Sequence, residues 1–289
     1  MVSVSRRPRT IFNLSTTTTY KLALKSNFYI PETALIKEVI QSLWQIEGTT
    51  SFRNEHILPK GIVEIIFNFS AGLPIVAHVG KKQYQLPRSF INGFNTEPVQ
   101  IQLPEQQEFF GVQLRPLAVR KLLGIPASEF FNSVVDLTLL DARFNSLWHQ
   151  LAEHKTFDDR IAAIVDWMVL PDWQPRENMV NNFLYNSGQH DLSVTELAQS
   201  LCYSPRQLSR KMTEATGMNT EEILLYKKYL HAVHLIHHTD LSLTKIAYES
   251  SFSDQSHFIK SFRNYTNMTP GEYKNTKSFI KGHVYQDVR

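Results

Sequence analysis

The chain has 289 residues, 42% apolar and 20% charged, a length that favours two domains. That apolar content with a net charge of only +3 excludes an intrinsically disordered chain, and any nucleic-acid partner must be met by a local patch rather than by bulk charge. The single cysteine, Cys202, excludes an intrachain disulfide and any multi-cysteine metal site, and fits a reducing compartment.

The first 25 or so residues read as a polar, partly disordered arm, with Arg6, Arg7 and Arg9 followed by a Ser/Thr run from Ser15 to Thr19. The apolar core of a signal peptide is missing, and the stretches Ile62–Phe69 and Ile161–Leu170 are too short to span a bilayer. A soluble, cytoplasmic protein with no membrane partner is expected. From Tyr29 the pattern changes: Pro31-Glu32-Thr33 opens a stretch with Leu35, Ile36, Val39, Ile40 and Leu43 at helical spacing, so a helix is expected up to Trp44.

After Pro59-Lys60-Gly61, the run Ile62–Phe69 is rich in β-branched and aromatic residues and reads as a strand. Short strands follow at Ile75–Val79, Ser89–Asn92, Val99–Leu103 and Glu108–Leu114, separated by glycines and prolines. This spacing suggests a small antiparallel barrel or sandwich. Pro116 then opens a helix that Gly124 stops, and a further helix lies near Asp158–Val169. Leu170–Pro175 reads as a linker, and helices alone follow from Arg176 to Tyr273.

Within those helices is an internal repeat. Leu197-Ala198, Ser204, Leu208, Met212 and Gly217-Met218 recur as Ile246-Ala247, Ser253, Phe258, Phe262 and Asn267-Met268. The offset grows by one residue after the serine, so the second copy has an extra residue at its turn. Each copy reads as helix–turn–helix. Ser193 with Glu196 forms a capping box, Ser204 caps a helix that has Pro205 first and Gln207 third, and Ser253 is the matching cap in the second copy. Leu208, Met212 and Ala215 pack inward, which turns Arg206, Ser209, Arg210 and Thr213 outward. In the second copy Phe258, Phe262 and Tyr265 pack inward, and Gln255, Ser256, Ile259, Lys260 and Arg263 face out.

Arginine and glutamine on exposed recognition helices suit major-groove reading, since Arg pairs with guanine O6/N7 and Gln with adenine N6/N7. Between the copies, Thr220 to about His238 lacks Gly and Pro and has helical periodicity. Nineteen helical residues give a rod of roughly 28 Å. That is close to the ~34 Å between successive turns on one DNA face, so one chain could place two helices in successive major grooves.

The second copy resembles the signature of the AraC/XylS family of bacterial transcription regulators. The resemblance rests on Ser242–Tyr248, Phe252–Phe258, Phe262–Tyr265 and Met268-Thr269-Pro270 and covers about 100 residues. The chain departs from the family at Ser251 and Asn267, where glycine is usual, and at Lys228-Tyr229, where Arg-Leu is favoured. Asn267 is a mild change, because asparagine tolerates a left-handed cap.

The N-terminal region resembles, more loosely, a sensor-type domain found ahead of some AraC-like modules. The residues are Tyr29-Ile30-Pro31, Leu43-Trp44, Leu58–Gly61, Gly111–Pro116 and Leu122–Pro126. The resemblance implies a two-domain α+β protein. Its N-terminal part is a β-rich, small-barrel or cupin-like domain with helices, and its C-terminal part is an all-α domain with two helix–turn–helix motifs joined by a long helix. Double-stranded promoter DNA is the expected partner and a homodimer the expected assembly. A small-molecule effector and RNA polymerase are the further partners it allows, with no cofactor.

The expected layout is an arm (1–25), a sensor or dimerisation domain (26–170), a linker (171–175), the DNA-binding domain (176–280) and a tail (281–289). Arg206, Ser209, Arg210, Gln255, Ser256 and Lys260 are expected at bases, and Lys211, Lys228 and Arg263 at phosphates. His56, Glu64 and Arg115 either line an effector pocket or lie on its rim or at a dimer interface, and Trp44 reads as core. His231, His234 and His238 share one helix face, but exposed histidines without acidic or cysteine partners do not make a metal site. Cys202 reads as a small core residue. No P-loop, dinucleotide fingerprint, H-E-x-x-H or G-x-S-x-G is present, and no catalytic residue is assigned.

Overall fold

A computed structural model describes residues 12–13, 23–50, 53–72, 74–168, 175–185, 191–278 and 280–286. Arg6, Arg7 and Arg9, most of the expected linker and the last three residues lie outside the described residues.

The strands are β1 (Phe12–Asn13), β2 (Ala23–Tyr29), β3 (Ile40–Thr49), β4 (Asn54–Ile57), β5 (Val63–Asn68) and β6 (Val76–Val79). They continue with β7 (Lys82–Gln85), β8 (Ser89–Asn92), β9 (Val99–Gln102), β10 (Gln106–Leu114), β11 (Val134–Asp136) and β12 (His283–Gln286). They form two antiparallel sheets, in the orders β1-β2-β3-β10-β5-β8-β11 and β12-β4-β9-β6-β7. The helices are α1 (Ala34–Lys37), α2 (Pro116–Leu123), α3 (Arg143–Glu153), α4 (Phe157–Trp167), α5 (Pro175–Tyr185) and α6 (Val194–Ser200). After them come α7 (Pro205–Thr216), α8 (Thr220–His238), α9 (Leu243–Glu249), α10 (Gln255–Thr266) and α11 (Pro270–Thr276). The chain is thus β-rich first and helical afterwards, as the sequence implies.

Alternation along the strands divides the interior in two. On β10, Phe110, Val112 and Leu114 point to one face of the larger sheet and join a core shared with the helices. Phe110 meets Phe157 of α4 there, with ring centroids 6.0 Å apart. Phe109 points the other way and joins Leu24, Ile75, Ala77, Phe90 and Leu103 in a second cluster drawn from both sheets. Arg160 of α4 is buried beneath the helical layer, where it donates to the Leu151 carbonyl, Gln45 Oε1 and, at 2.6 Å, Glu108 Oε1. Three acceptors satisfy a charge that would otherwise be costly to bury.

The expected helix from Pro31 to Trp44 survives only as α1, and Ile40–Thr49 is a strand. That strand lies between β2 and β10, so pairing on both edges overrides a helical spacing that a short apolar run cannot fix. Helix α3 and strands β1, β2, β4, β7, β11 and β12 also go beyond the sequence reading, and β1, which pairs antiparallel with β2, lies within the stretch read as an arm. The segment after 280 carries β12, antiparallel to β4, with His283 opposite Ile57. The end of the helical half therefore returns to the smaller sheet.

Candidate functional site

The two helix–turn–helix units are built alike. Helices α6 and α9 have seven residues each, and α7 and α10 have twelve. Cys202 and Ser251 occupy the same place in the two turns and are both left-handed, with φ of 56° and 58°. Gly217 and Asn267 end the reading helices, also left-handed, at 81° and 59°. Ser204 caps α7 in a capping box with Gln207. In the second copy the cap is Asp254 and not Ser253: its Oδ1 accepts from the His257 amide at 2.8 Å, while the Ser253 hydroxyl contacts the carboxylate and the His257 ring. The extra residue thus falls between the left-handed turn residue and the cap, and a carboxylate is at least as good a cap as a hydroxyl.

Leu208, Met212, Phe258 and Phe262 are completely buried, and Tyr265 is half-buried against Tyr226 and Tyr229 of α8. The opposite faces are open. Arg206, Arg210, Thr213, Gln255, Ser256, Lys260 and Arg263 are exposed, and Ser209 and Lys211 are half-exposed. Lys228 is half-buried, with its Nζ 2.8 Å from the carbonyl of Ser251, so it braces the second turn. Its neighbour Lys227 points inward to the Phe183 carbonyl, and burial pulls its pKa down to about 8. Cys202 is exposed, contrary to the expectation of a core residue, because the left-handed turn that carries it projects from the motif. His231 contacts the Ser250 hydroxyl, while the tilted rings of His234 and His238 have centroids 4.6 Å apart.

Between the sheets lies a cavity of ≈ 990 Å³, walled mainly by apolar side chains such as Ile46, Ile66, Ala77, Phe90, Val99, Ile101 and Phe109. Glu64 is buried in its wall, and its Oε1 accepts from Trp44 Nε1 at 3.0 Å and from Gln113 Nε2 at 2.9 Å. Trp44 packs against the second core cluster, as expected of a core residue, but is not fully enclosed by it. It lies half-buried along the cavity, across from Gly111 on β10, and a Cβ at Gly111 would fall 2.1 Å from the indole. The missing side chain is what lets the ring lie over the strand. Lys60 also lines the cavity, and so do Lys281 and His283 from the C-terminal end of the chain. Burial and the nearby Lys60 charge both lower the Lys281 pKa. These residues were invisible from sequence, because nothing local links position 281 to a sheet that begins at residue 54.

The other two expected pocket residues lie elsewhere. His56 is buried where the sheets meet the helical half, its Nε2 3.0 Å from the carbonyl of Thr266 at the end of α10. Arg115 sits before α2, bonded to the Lys37 carbonyl and to Asn182 Oδ1, with its guanidinium over the Tyr185 ring. Both therefore tie the two halves together. Tyr226 and Tyr229 do the same, donating to the carbonyls of Asn95 at 2.9 Å and Pro59 at 3.0 Å. No group of three histidine, cysteine, aspartate or glutamate side chains is placed to hold a metal among the described residues.

Comparison with known proteins agrees with this division. Residues 197–276 match the helix–turn–helix domain family, and residues 27–136 match a domain of unknown function, DUF6597. The C-terminal part of the chain carries an AraC-type helix–turn–helix domain. An uncharacterized HTH-type transcriptional regulator of Staphylococcus aureus strain MSSA476 is 30% identical over 103 residues, which is 36% of this chain and 14% of that protein. The regulator YtdP of Bacillus subtilis is 24% identical over 175 residues, 53% of this chain and 22% of its own length. The chain thus spans a small part of the relatives it matches.

Among solved structures, an AraC-type transcriptional regulator from Chromobacterium violaceum is 29% identical, over 30% of this chain and 78% of that one, with a TM-score of 0.29. ToxT from Vibrio cholerae aligns over 87% of this chain and 98% of its own, at 12% identity and a TM-score of 0.44. No helix among the described residues is long and apolar enough to cross a membrane.

Proposed function

We propose that this chain is a sequence-specific, DNA-binding transcription regulator that reads promoter DNA with both helix–turn–helix motifs. The observation that carries this reading is the pairing of two equal motifs, each with an open polar face, across the nineteen-residue helix α8. Arg206, Ser209 and Arg210 in the first motif, and Gln255, Ser256 and Lys260 in the second, face bases. Lys211 and Arg263 contact phosphates, and Lys228 sits close enough to the second turn to join them. The chain works as a homodimer in a bacterial-type cytoplasm, with RNA polymerase as its downstream partner.

A small effector in the intersheet cavity controls it. The cavity has the size and mostly apolar lining of a small-molecule site, with the Glu64 carboxylate as a fixed polar group, and this favours a sensor over a pure interaction module. Selection of genomic fragments by the full-length protein, with and without metabolite extract, tests both parts. Two short sequence blocks one helical turn apart are expected, with an extract-dependent shift. No enriched sequence would end the DNA reading, and enrichment indifferent to extract would end the effector reading. On the selected duplex, Arg210→Ala should relax preference at one position at a cost of about 1–3 kcal/mol. Arg263→Ala should weaken all sequences alike and reduce the salt slope by about one.

A further inference from the structure

The four outward residues of the first reading helix, Arg206, Ser209, Arg210 and Thr213, line a single open groove of ≈ 640 Å³. Its opposite side belongs to the N-terminal half: Arg120 on α2 and Ser128 just beyond it. Two contacts fix this arrangement. Gly217, at the end of α7, lies against the Phe131 ring so closely that a Cβ there would come within 2.6 Å, and Arg120 Nη1 pairs with Glu214 Oε1 on α7. Helix α7 therefore cannot approach DNA without bringing Arg120 along.

The charges favour a polyanion in this groove. Glu214 is the one acidic side chain lining it, and Arg120 already holds that carboxylate. Arg206 and Arg210 form no ion pair among the described residues, which leaves the groove with a surplus of positive charge. The Arg120 side chain is 59% exposed, and its bond to Glu214 uses one of the five donors a guanidinium offers. A helix in the major groove is flanked by sugar–phosphate backbone on both sides, and Arg suits two anionic acceptors at once because of its forked geometry.

We infer that Arg120, from the sheet-bearing half, is a phosphate-contacting residue of the DNA interface, positioned by Glu214 beside the first reading helix. The inference rests on the DNA-reading proposal above. It makes the N-terminal half part of the DNA-binding surface rather than a remote controller.

The test uses the full-length protein, a duplex enriched by wild-type selection and an unrelated duplex, with affinities measured across a salt series. Arg120→Ala should weaken both duplexes by about tenfold at near-physiological salt, as expected for loss of one charge-assisted contact. It should also lower the salt slope by about one, while Arg120→Lys keeps the slope. Glu214→Gln leaves the cation in place and should keep the slope too. Equal losses in Arg120→Ala and Glu214→Gln would mean that the pair merely ties α7 to α2, and would overturn the inference. Tighter binding by Arg120→Ala would overturn it as well, by showing that the N-terminal half obstructs the groove. A wild-type protein that binds no duplex would sink this inference together with the DNA reading, whereas wild-type binding with an unchanged slope in Arg120→Ala would sink the inference alone.

Discussion

In the first motif, the reading helix α7 leans on the N-terminal half through Phe131 and Arg120, and its outward face opens onto a groove shared with that half. In the second, α10 meets the sheets at its far end, where the Thr266 carbonyl receives His56, and its core is filled by aromatic rings in tilted and edge-to-face contact. Capping, turn and length are nearly the same in the two. Local signals therefore build one motif twice, and the surroundings decide how each copy answers to the rest of the molecule.

Core truncation probes this difference hardest. Leu208 and Phe258 are equivalent and equally buried, but Phe258 is the larger side chain and meets the rings of Phe252 and Phe262. Leu208→Ala should cost about 2–5 kcal/mol and Phe258→Ala about 3–5 kcal/mol, read by chemical denaturation of the full chain. The larger loss belongs to the second motif. The reverse order would show that its aromatic core is loosely filled and that the first motif is the better anchored.

The turns should respond alike, and by less. Cys202 and Ser251 both hold a left-handed backbone, which costs a residue with a side chain roughly 1–2 kcal/mol. Glycine removes that strain but adds freedom to the unfolded chain worth about 0.5–1 kcal/mol. Cys202→Gly and Ser251→Gly should each therefore raise stability by about 0.5–1 kcal/mol, seen as a small upward shift in Tm. Gain at one turn only would mean that the two backbones are not equally strained, and Lys228, which braces Ser251, would be the first contact to examine.

How legible each region was follows from the range of its interactions. The motifs could be read because caps, glycine substitutes and inward faces lie within a dozen residues of one another, and even the extra residue in the second turn left its mark on the spacing. The exact cap did not: Ser253 and Asp254 are adjacent, both are good caps, and only the backbone decides between them. The sheet region was legible where β-branched residues recur within a strand, as at β5 and β6. It failed at β3, whose strand character comes from its partners on both edges. Of the three pocket candidates only Glu64 reached the cavity wall, on a strand that its β-branched and aromatic neighbours made readable, while the positions of His56 and Arg115 depend on a domain contact with no local signature.

The smallest expected effect separates the two motifs by pH. The His56 Nε2–H donates to the Thr266 carbonyl, which leaves Nδ1 as the unprotonated nitrogen, 3.5 Å from the Gln100 amide. Burial pushes the His56 pKa below its ordinary value of about 6.5. The unfolded chain then takes up a proton there that the folded chain resists, so this contribution to stability is complete above about pH 6.5 and drains away as the pH falls below it. The contacts that tie α7 to the N-terminal half, Arg120–Glu214 and Gly217–Phe131, contain no histidine. Mild acid should therefore loosen α10 before α7, visible as earlier loss of amide-exchange protection in α10 between pH 7 and pH 5.5. His56→Gln keeps a donor for Thr266 and removes the titration, so the acid sensitivity of α10 should shrink in that variant. His234 and His283 also have lowered pKa values and add acid sensitivity of the same sign, so the difference between wild type and variant, and not the slope of either alone, belongs to His56. An identical acid response in the two proteins would assign the effect to those histidines and leave the second motif no more pH-sensitive at its sheet contact than the first.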